Sequence, residues 1–131
     1  MTPVLYFPIA SCAGVASPDA APYHRQWLII DASGTWLAPD ACERLAQVSV
    51  EVRWGYLIMR APGMLRLDIP LDVLEDDDSV RRQAKVGKQR IDVIDEGELT
   101  AAWMSNFLKQ PCRLVKVDPK DQRVMWPTPI G

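Results

Sequence analysis

The sequence predicts a mainly β fold of the α+β type, a small β-barrel of about six to eight short, largely antiparallel strands with one late α-helix. Three observations support this fold class. Short apolar runs alternate with polar residues, turn residues separate these runs, and a single stretch near the C-terminus has helical apolar spacing. The chain has 131 residues, 48% hydrophobic and 24% charged, which is typical of one globular domain. We therefore predict one domain over residues 1–131, with 119–131 as an extended tail.

The first strands are predicted in the N-terminal third of the chain. Residues 4–9 form a short apolar run between prolines, which suits a strand because proline breaks helical hydrogen bonding. Residues 11–23 are rich in Ala, Ser, Pro and Gly and are predicted to form a loop. The run QWLIID at 26–31 is strongly β-forming, turn residues follow at 31–34, and Thr-Trp-Leu at 35–37 resumes the apolar character. This pattern predicts a β-hairpin.

A second hairpin is predicted from residues 45–52 and 56–59. The first of these runs, LAQVSVEV, alternates apolar and polar residues, so its valines share one face. Residues 61–64, Ala-Pro-Gly-Met, indicate a turn. Alternation then resumes over residues 65–70 and predicts a further strand that includes Leu65.

An acidic stretch at 72–78 is followed by a basic stretch at 81–90. Charge runs of this kind usually form solvated surfaces, so the two stretches together are interpreted as a polar loop plus one exposed strand rather than a dedicated binding patch. The alternative is that the strand continues through Val86, Ile91 and Val93.

One helix is predicted, at residues 99–109. Asp95 and Glu98 have the spacing of a capping box before LTAAWMSNFLK, whose apolar residues recur at helical spacing. The predicted apolar face consists of Leu99, Ala102, Trp103 and Phe107. The helix is expected to end near Pro111, and residues 112–117, CRLVKV, are predicted to form the last strand.

Charge and residue types exclude several classes of function. The net charge of −2 provides no positive field, so neither nucleic acid nor a membrane is an expected partner. No apolar run is long enough to span a bilayer, and the N-terminus lacks the basic region of a signal peptide, so the cytoplasm is the expected compartment. Cys12, Cys42 and Cys112 are widely spaced and His24 is the lone histidine, so no metal site is predicted.

No catalytic residues are predicted. His24 is followed by Arg25, whose charge disfavours an imidazolium, so a nucleophile and base pair is not supported. The adjacent acids at 75–78 and 95–96 have the pattern of solvated loop carboxylates. The seven glycines are scattered and form no phosphate-binding loop.

Several short motifs occur in a characteristic order. The chain has YFPIASC at 6–12, HRQW at 24–27, an Asp-x-x-Gly turn at 31–34, APGM at 61–64, and DEGELTAAWMSNFLKQPCRLVKVDP at 95–119. This order resembles the N-terminal β-barrel domain of the MOSC superfamily, the proteins named for the C-terminal part of molybdenum-cofactor sulfurases. The resemblance covers nearly the whole chain.

The resemblance implies a binding site for a cofactor phosphate. In the family, the barrel packs on a following MOSC domain, and the two share a pocket for the molybdopterin form of the molybdenum cofactor. A Lys and a Ser of the opening motif and an Arg of the Asp-Arg-x-Trp motif hold its phosphate. The matching serine is Ser11 and the matching arginine is Arg25, whereas the lysine position is Ala10 and the acid position is His24. Pyridoxal phosphate is not expected, because no lysine can be assigned to a Schiff base.

A structural role for the two residues is the alternative. Ser11 is then a loop hydroxyl, and Arg25 a surface guanidinium that stacks on Trp27 or Tyr23.

Two functions are consistent with these features. Because the chain ends just after the barrel, without the domain whose cysteine ligates molybdenum in the family, we expect a non-catalytic accessory or interaction domain. Its partner would be a separate MOSC or redox protein, or a second copy, bound through an exposed apolar patch. The alternative is a half-site for the phosphate of a molybdopterin-type cofactor, part of an oxidoreductase assembled with a separate MOSC domain. This alternative predicts that Arg81, Arg82 and Lys85 converge near Arg25.

Overall fold

The computed structural model describes residues 5–12, 14–38, 41–71 and 81–118. Within these ranges the chain is built mainly of short strands with one α-helix between the last two. The strands are β1 (Trp27–Asp31), β2 (Ser49–Arg53), β3 (Tyr56–Arg60), β4 (Leu67–Pro70), β5 (Arg81–Val86), β6 (Gln89–Asp95) and β7 (Cys112–Val117), and the helix is α1 (Glu98–Leu108).

One curled antiparallel sheet contains β1, β7, β6 and β5 in that order. A short segment after β1 connects its two outer strands, because Trp36 bridges to Ile30 in β1 and Thr35 bridges to Lys85 in β5. The predicted mainly β, barrel-like fold with one late helix is therefore confirmed.

Alternate residues of this sheet fill the barrel interior, because successive side chains of a strand face opposite sides. The alanine at position 84 is small enough to lie between larger aliphatic residues. The barrel core consists of Ala10, Leu28, Ile30, Ala84, Val86, Ile91, Val93, Val115 and Val117, with Trp36 packed against it.

A second antiparallel sheet, in the order β2-β3-β4, packs with α1 on the other face of β1 and β7. Val48, Val50 and Val52 are all buried, as the alternation predicts. They share one core with the largest buried side chains of the other elements, among them Trp27, Leu57, Met59, Met104, Phe107 and Leu114.

Both predicted hairpins are present, and a third appears. β2 pairs with β3, and the backbone of Leu37 returns to Ile29 of β1 at 2.8 Å. The one strand predicted among the charged residues is present as β5, and it forms a hairpin with β6, which pairs along the whole of β5. The hairpin forms because Ala84 and Val86 fill the barrel while Lys85 between them faces outward.

The N-terminal predictions need correction. Of the strand predicted at 4–9, the described residues 5–9 form no regular strand, and two single bridges join Tyr6 to Val15 and Ile9 to Trp27. The predicted loop contains a 3₁₀ helix, Pro18–Tyr23, which begins after the capping residue Ser17.

Two strand boundaries also differ from the prediction. The start of the predicted strand at 45–52 is a second 3₁₀ helix, Glu43–Gln47. Leu65 lies before β4 and is 86% exposed.

The helix forms where the sequence predicts it, but its cap and its buried face differ. Gly97, with φ of 106°, is the N-cap, and no side chain caps α1. The Asp95 carboxylate instead accepts a hydrogen bond from the Gly97 N–H at 2.9 Å, so the capping-box prediction is wrong. Leu99 is 79% exposed and Ala102 is exposed, which contradicts the predicted face. The buried residues are Thr100, Ala101, Met104, Phe107 and Leu108.

The acidic stretch at 72–78 and the predicted tail at 119–131 lie outside the described residues.

Candidate interaction surface and cofactor-binding residues

Ser11 belongs to an N-terminal segment that runs parallel to the start of β1. The Ala10 N–H donates to the Trp27 carbonyl at 2.8 Å, and Ile9 and Trp27 form the parallel bridge. Ser11 continues this ladder with its side chain, since the Ile29 N–H donates to Ser11 Oγ at 3.1 Å. Ser11 is 0% exposed. Its hydroxyl therefore satisfies a buried backbone donor and does not reach the surface.

Ala10 occupies the position where the family pattern has lysine. Its methyl group is fully buried in the barrel core. The opening motif thus provides no cation at this position.

Arg25 has a strained backbone and a buried donor without a partner. It follows the 3₁₀ helix Pro18–Tyr23 with φ of 58°, a region that non-glycine residues rarely adopt. Its N–H donates to the Phe7 carbonyl at 2.7 Å. Among the described residues, no group accepts a hydrogen bond from the buried Nε of its guanidinium, and an unsatisfied buried donor costs about 1–3 kcal/mol.

His24 binds the same residue of the N-terminal segment, Phe7, as Arg25 does. Its Nδ1 accepts a hydrogen bond from the Phe7 N–H at 2.9 Å, so this nitrogen must be unprotonated. Burial and, to a smaller extent, the charge of Arg25 lower the pKa of His24 from its usual 6.5.

Tyr23 and Trp27, the two aromatic residues near Arg25 in the sequence, contact each other. The Tyr23 and Trp27 rings stack with centroids 6.2 Å apart. Lys116 Nζ lies 5.2 Å from the centroid of the Trp27 ring.

Lys116 is a buried residue whose role the sequence does not reveal. It is 6% exposed, and its Nζ donates to the Leu71 carbonyl at 2.6 Å. The strand period places it on the face of Cys112 and Leu114, but no local signal shows that its amine fixes the end of β4. Lys116 thus joins the two sheets.

The basic residues of β5 do not all gather near Arg25. Arg81 Nη1 donates to Asp118 Oδ2 at 2.5 Å, and Arg82 Nε donates to Asp95 Oδ2 at 2.7 Å. Arg82 lines a groove at the carboxyl end of β1, and Lys85 bridges to the segment just beyond that end. Because Arg25 precedes the amino end of β1, Arg82 and Lys85 lie toward the opposite end of the strand.

An apolar ridge lies along one flank of α1. We call Leu65, Leu99 and Trp103 the α1 ridge. Leu65 is 86% exposed and Leu99 is 79% exposed. Trp103 lies one helical turn after Leu99, and its Nε1 donates to the Leu65 carbonyl at 2.8 Å. The ridge is therefore one surface built from α1 and the turn before β4.

An exposed aromatic residue lies at the β2-β3 turn. Trp54 and Gly55 have φ of 54° and 79°, respectively, and Trp54 is 68% exposed. The Arg53 guanidinium lies 4.7 Å from its ring centroid.

The described ranges 5–12, 14–38, 41–71 and 81–118 contain no metal-binding cluster. No group of three or more His, Cys, Asp or Glu side chains in them could hold a metal ion. No helix in them is long and apolar enough to cross a bilayer. Cys12, Cys42 and Cys112 are free thiols, and burial raises the pKa of the Cys12 thiol.

The sequence motifs and the curled sheet agree with one known family. The family described as the MOSC N-terminal beta barrel domain matches residues 1–111. The chain belongs to this family. The resemblance carried by the motifs is therefore confirmed.

Relatives of this MOSC N-terminal domain include much longer proteins. The chain is 32% identical to a molybdenum cofactor sulfurase of Danio rerio, over 100% of this chain and 18% of that protein. It is 27% identical to a molybdenum cofactor sulfurase of Homo sapiens, over 94% of this chain and 15% of that protein. The chain thus spans less than a fifth of the length of these relatives.

A solved structure has the same fold. The solution structure of a Bordetella bronchiseptica protein, a structural genomics target, is 56% identical and has a TM-score of 0.83. The match covers 98% of this chain and 98% of that chain.

Proposed function

We propose that this chain is a non-catalytic accessory domain that binds a MOSC-type domain through the α1 ridge. The observation that supports this function is the exposure of Leu65 and Leu99, at 86% and 79%, beside Trp103. Large exposed apolar residues that form one patch are typical of interaction sites. Fully burying two leucine side chains contributes roughly 3–6 kcal/mol.

The choice of partner rests on the family. The domain is named for its position beside a MOSC domain, and the sulfurase relatives are more than five times as long as the region they share with this chain. A separate MOSC-type or redox protein in the cytoplasm is the partner that fits a domain with such a ridge. A second copy of the chain is the other outcome that the experiment distinguishes.

The test measures binding by calorimetry. The chain is titrated with the MOSC domain of the zebrafish relative, produced separately, and the variant carries Leu65→Ser and Leu99→Ser. We expect the variant to bind at least about tenfold more weakly, a loss of about 1.4 kcal/mol. The matched control is Leu5→Ser, at a leucine that is 47% exposed in the N-terminal segment. It should bind like the unmodified chain.

Two results contradict the proposal. One is the absence of binding by the unmodified chain. The other is equal binding by the ridge variant and the unmodified chain. Urea denaturation of each variant verifies that the substitutions leave the fold intact.

Arg25 supports a second candidate, a half-site for the phosphate of a molybdopterin-type cofactor. Its buried Nε has no hydrogen-bond partner in the part of the chain that the structure describes, and a guanidinium suits phosphate oxygens. Ser11 fits this role poorly, since its hydroxyl is fully buried and accepts the hydrogen bond of the Ile29 N–H. Arg82 and Lys85, which this candidate requires near Arg25, lie toward the opposite end of β1 and also do not support it. When bound, the cofactor would supply the redox chemistry of an oxidoreductase completed by a separate MOSC domain.

A thermal-shift measurement with isolated molybdenum cofactor tests this second candidate. Stabilisation of the chain that is lost in Arg25→Ala and kept in Arg66→Ala supports it. Arg66 is a suitable control because it pairs with Asp68 on the surface. An unchanged melting temperature in all three proteins contradicts it.

A further inference from the structure

Two arginines converge on one buried carboxylate at the N-terminal end of α1. Arg82 Nε and Arg113 Nη1 both donate to Oδ2 of Asp95, whose side chain is only 5% exposed. The two guanidiniums are therefore neighbours. Among the described residues, Arg82 uses only Nε, so its two terminal nitrogens pair with none of them.

Glu98 pairs with one of these arginines, Arg113, from the solvent side. Arg113 Nη2 donates to Glu98 Oε1 at 2.5 Å, and the Glu98 side chain is 81% exposed. Exposed ion pairs of this kind are worth only about 0.2–1 kcal/mol. Glu98 is therefore a carboxylate that an external group can displace at little cost.

The arginine pair opens into a groove of about 730 Å³, which we call the α1 groove. This volume lies within the usual range of small-molecule sites. One wall is α1, the other is the turn after β1, and small or apolar side chains line much of its length. These are Ile30, Ala32, Ala101, Ala102 and Pro111.

Charge counting selects the ligand class. With Glu98 turned away, Arg82 and Arg113 carry two positive charges, and Asp95 and Asp31 carry two negative charges, since Asp31 also lines the groove and hydrogen bonds lower its pKa. No net positive charge is left to hold a dianion, whereas a monocarboxylate replaces the Glu98 carboxylate charge for charge. The seated Glu98 carboxylate shows that a planar carboxylate fits Arg113.

We propose that the α1 groove binds a small organic monocarboxylate, which replaces Glu98 on Arg113 and accepts a second hydrogen bond from Arg82. The apolar part of the ligand lies along the alanines of the groove. This site is separate from the α1 ridge, because Leu99 and Trp103 do not line the groove.

The test is an NMR titration of the full ¹⁵N-labelled chain with sodium benzoate at constant ionic strength. We expect saturable shifts at the backbone amides of Ser33, Gly34 and Ala102 and at Arg82 Nε. Glu98→Gln removes the internal competitor and should lower the benzoate Kd by about 1.5- to fivefold, the equivalent of an exposed ion pair. The matched control, Glu51→Gln, removes a carboxylate that pairs with Arg53 and Arg60 elsewhere and should leave the Kd unchanged.

A second pair of variants tests the arginine. Arg82→Ala should raise the benzoate Kd at least about fivefold, whereas Arg66→Ala should not change it. Shifts that never saturate, a Kd unaffected by Glu98→Gln, or a Kd unaffected by Arg82→Ala each overturn the proposal. Inorganic phosphate is titrated in parallel, and binding as tight as that of benzoate overturns the assignment to monocarboxylates.

Discussion

Replacing Ser11 with alanine separates a structural role from a ligand-binding role. Ser11 Oγ is the acceptor for the Ile29 N–H at 3.1 Å, and both residues are 0% exposed. The substitution leaves this N–H buried without an acceptor, which costs about 1–3 kcal/mol. We therefore expect Ser11→Ala to lower the free energy of unfolding by about 2 kcal/mol. A residue that served only to bind a ligand would show no such loss in the ligand-free chain.

The assay is urea denaturation followed by tryptophan fluorescence. The slope of the unfolding free energy against urea concentration should be the same in the two proteins. Ser49→Ala is the matched control, because Ser49 is exposed at the start of β2 and such substitutions usually change stability by less than about 0.5 kcal/mol. If Ser11→Ala loses no more stability than Ser49→Ala, the ladder role of Ser11 is refuted.

The remaining predictions concern three charged or titratable groups. Asp95→Asn should cost about 2–3 kcal/mol in urea denaturation, because it leaves two arginines without their shared buried carboxylate; a loss below about 1 kcal/mol contradicts this. The lowered pKa of His24 means that the unfolded chain binds the proton more readily, so stability is full above about pH 6.5 and falls as the pH drops through the lowered value. The fall between about pH 7.5 and 5.5 should be smaller in His24→Gln, and equal slopes would show that His24 contributes nothing. Lys116→Met should lower the stability by about 1–2 kcal/mol, because the Leu71 carbonyl loses its donor, and an unchanged urea midpoint would contradict this role.

Local patterns predict the hairpins correctly. The valines of β2 alternate, and turn residues separate β2 from β3, so both the strand period and the turn are present in the sequence. One exposed strand is predicted in the region of β5, but its pairing with β6 is not, because its inward residues include the small Ala84 and most of its outward residues are charged. Its pairing becomes favourable only because β6 and the segment at Thr35 lie beside it.

The helix shows the limit of periodicity. Its spacing predicts the element, but Leu99 and Ala101 are each compatible with a buried face, and only the packing against β7 selects Ala101. The exposure of Leu99, which the proposed interaction depends on, therefore could not be predicted from the sequence.

The candidate site is also only partly predictable, because its contacts join residues that are distant in the sequence. The motifs identify Ser11 and Arg25, but the partner of the Ser11 hydroxyl is a backbone N–H 18 residues away. Likewise, Arg82 and Arg113 meet on Asp95 through pairing between β5, β6 and β7. No pattern within a single segment of the sequence predicts either contact.

The central claim, that the α1 ridge binds a MOSC-type domain, is tested most directly by methyl NMR of the leucine-labelled chain. Spectra are recorded as the zebrafish MOSC domain is added and, separately, as the chain itself is concentrated. We predict that the Leu65 and Leu99 methyl signals shift when the MOSC domain is added, while the Leu5 signals stay in place. Shifts that arise only on concentrating the chain would identify a second copy as the partner, and unchanged Leu65 and Leu99 signals in both series would contradict the claim.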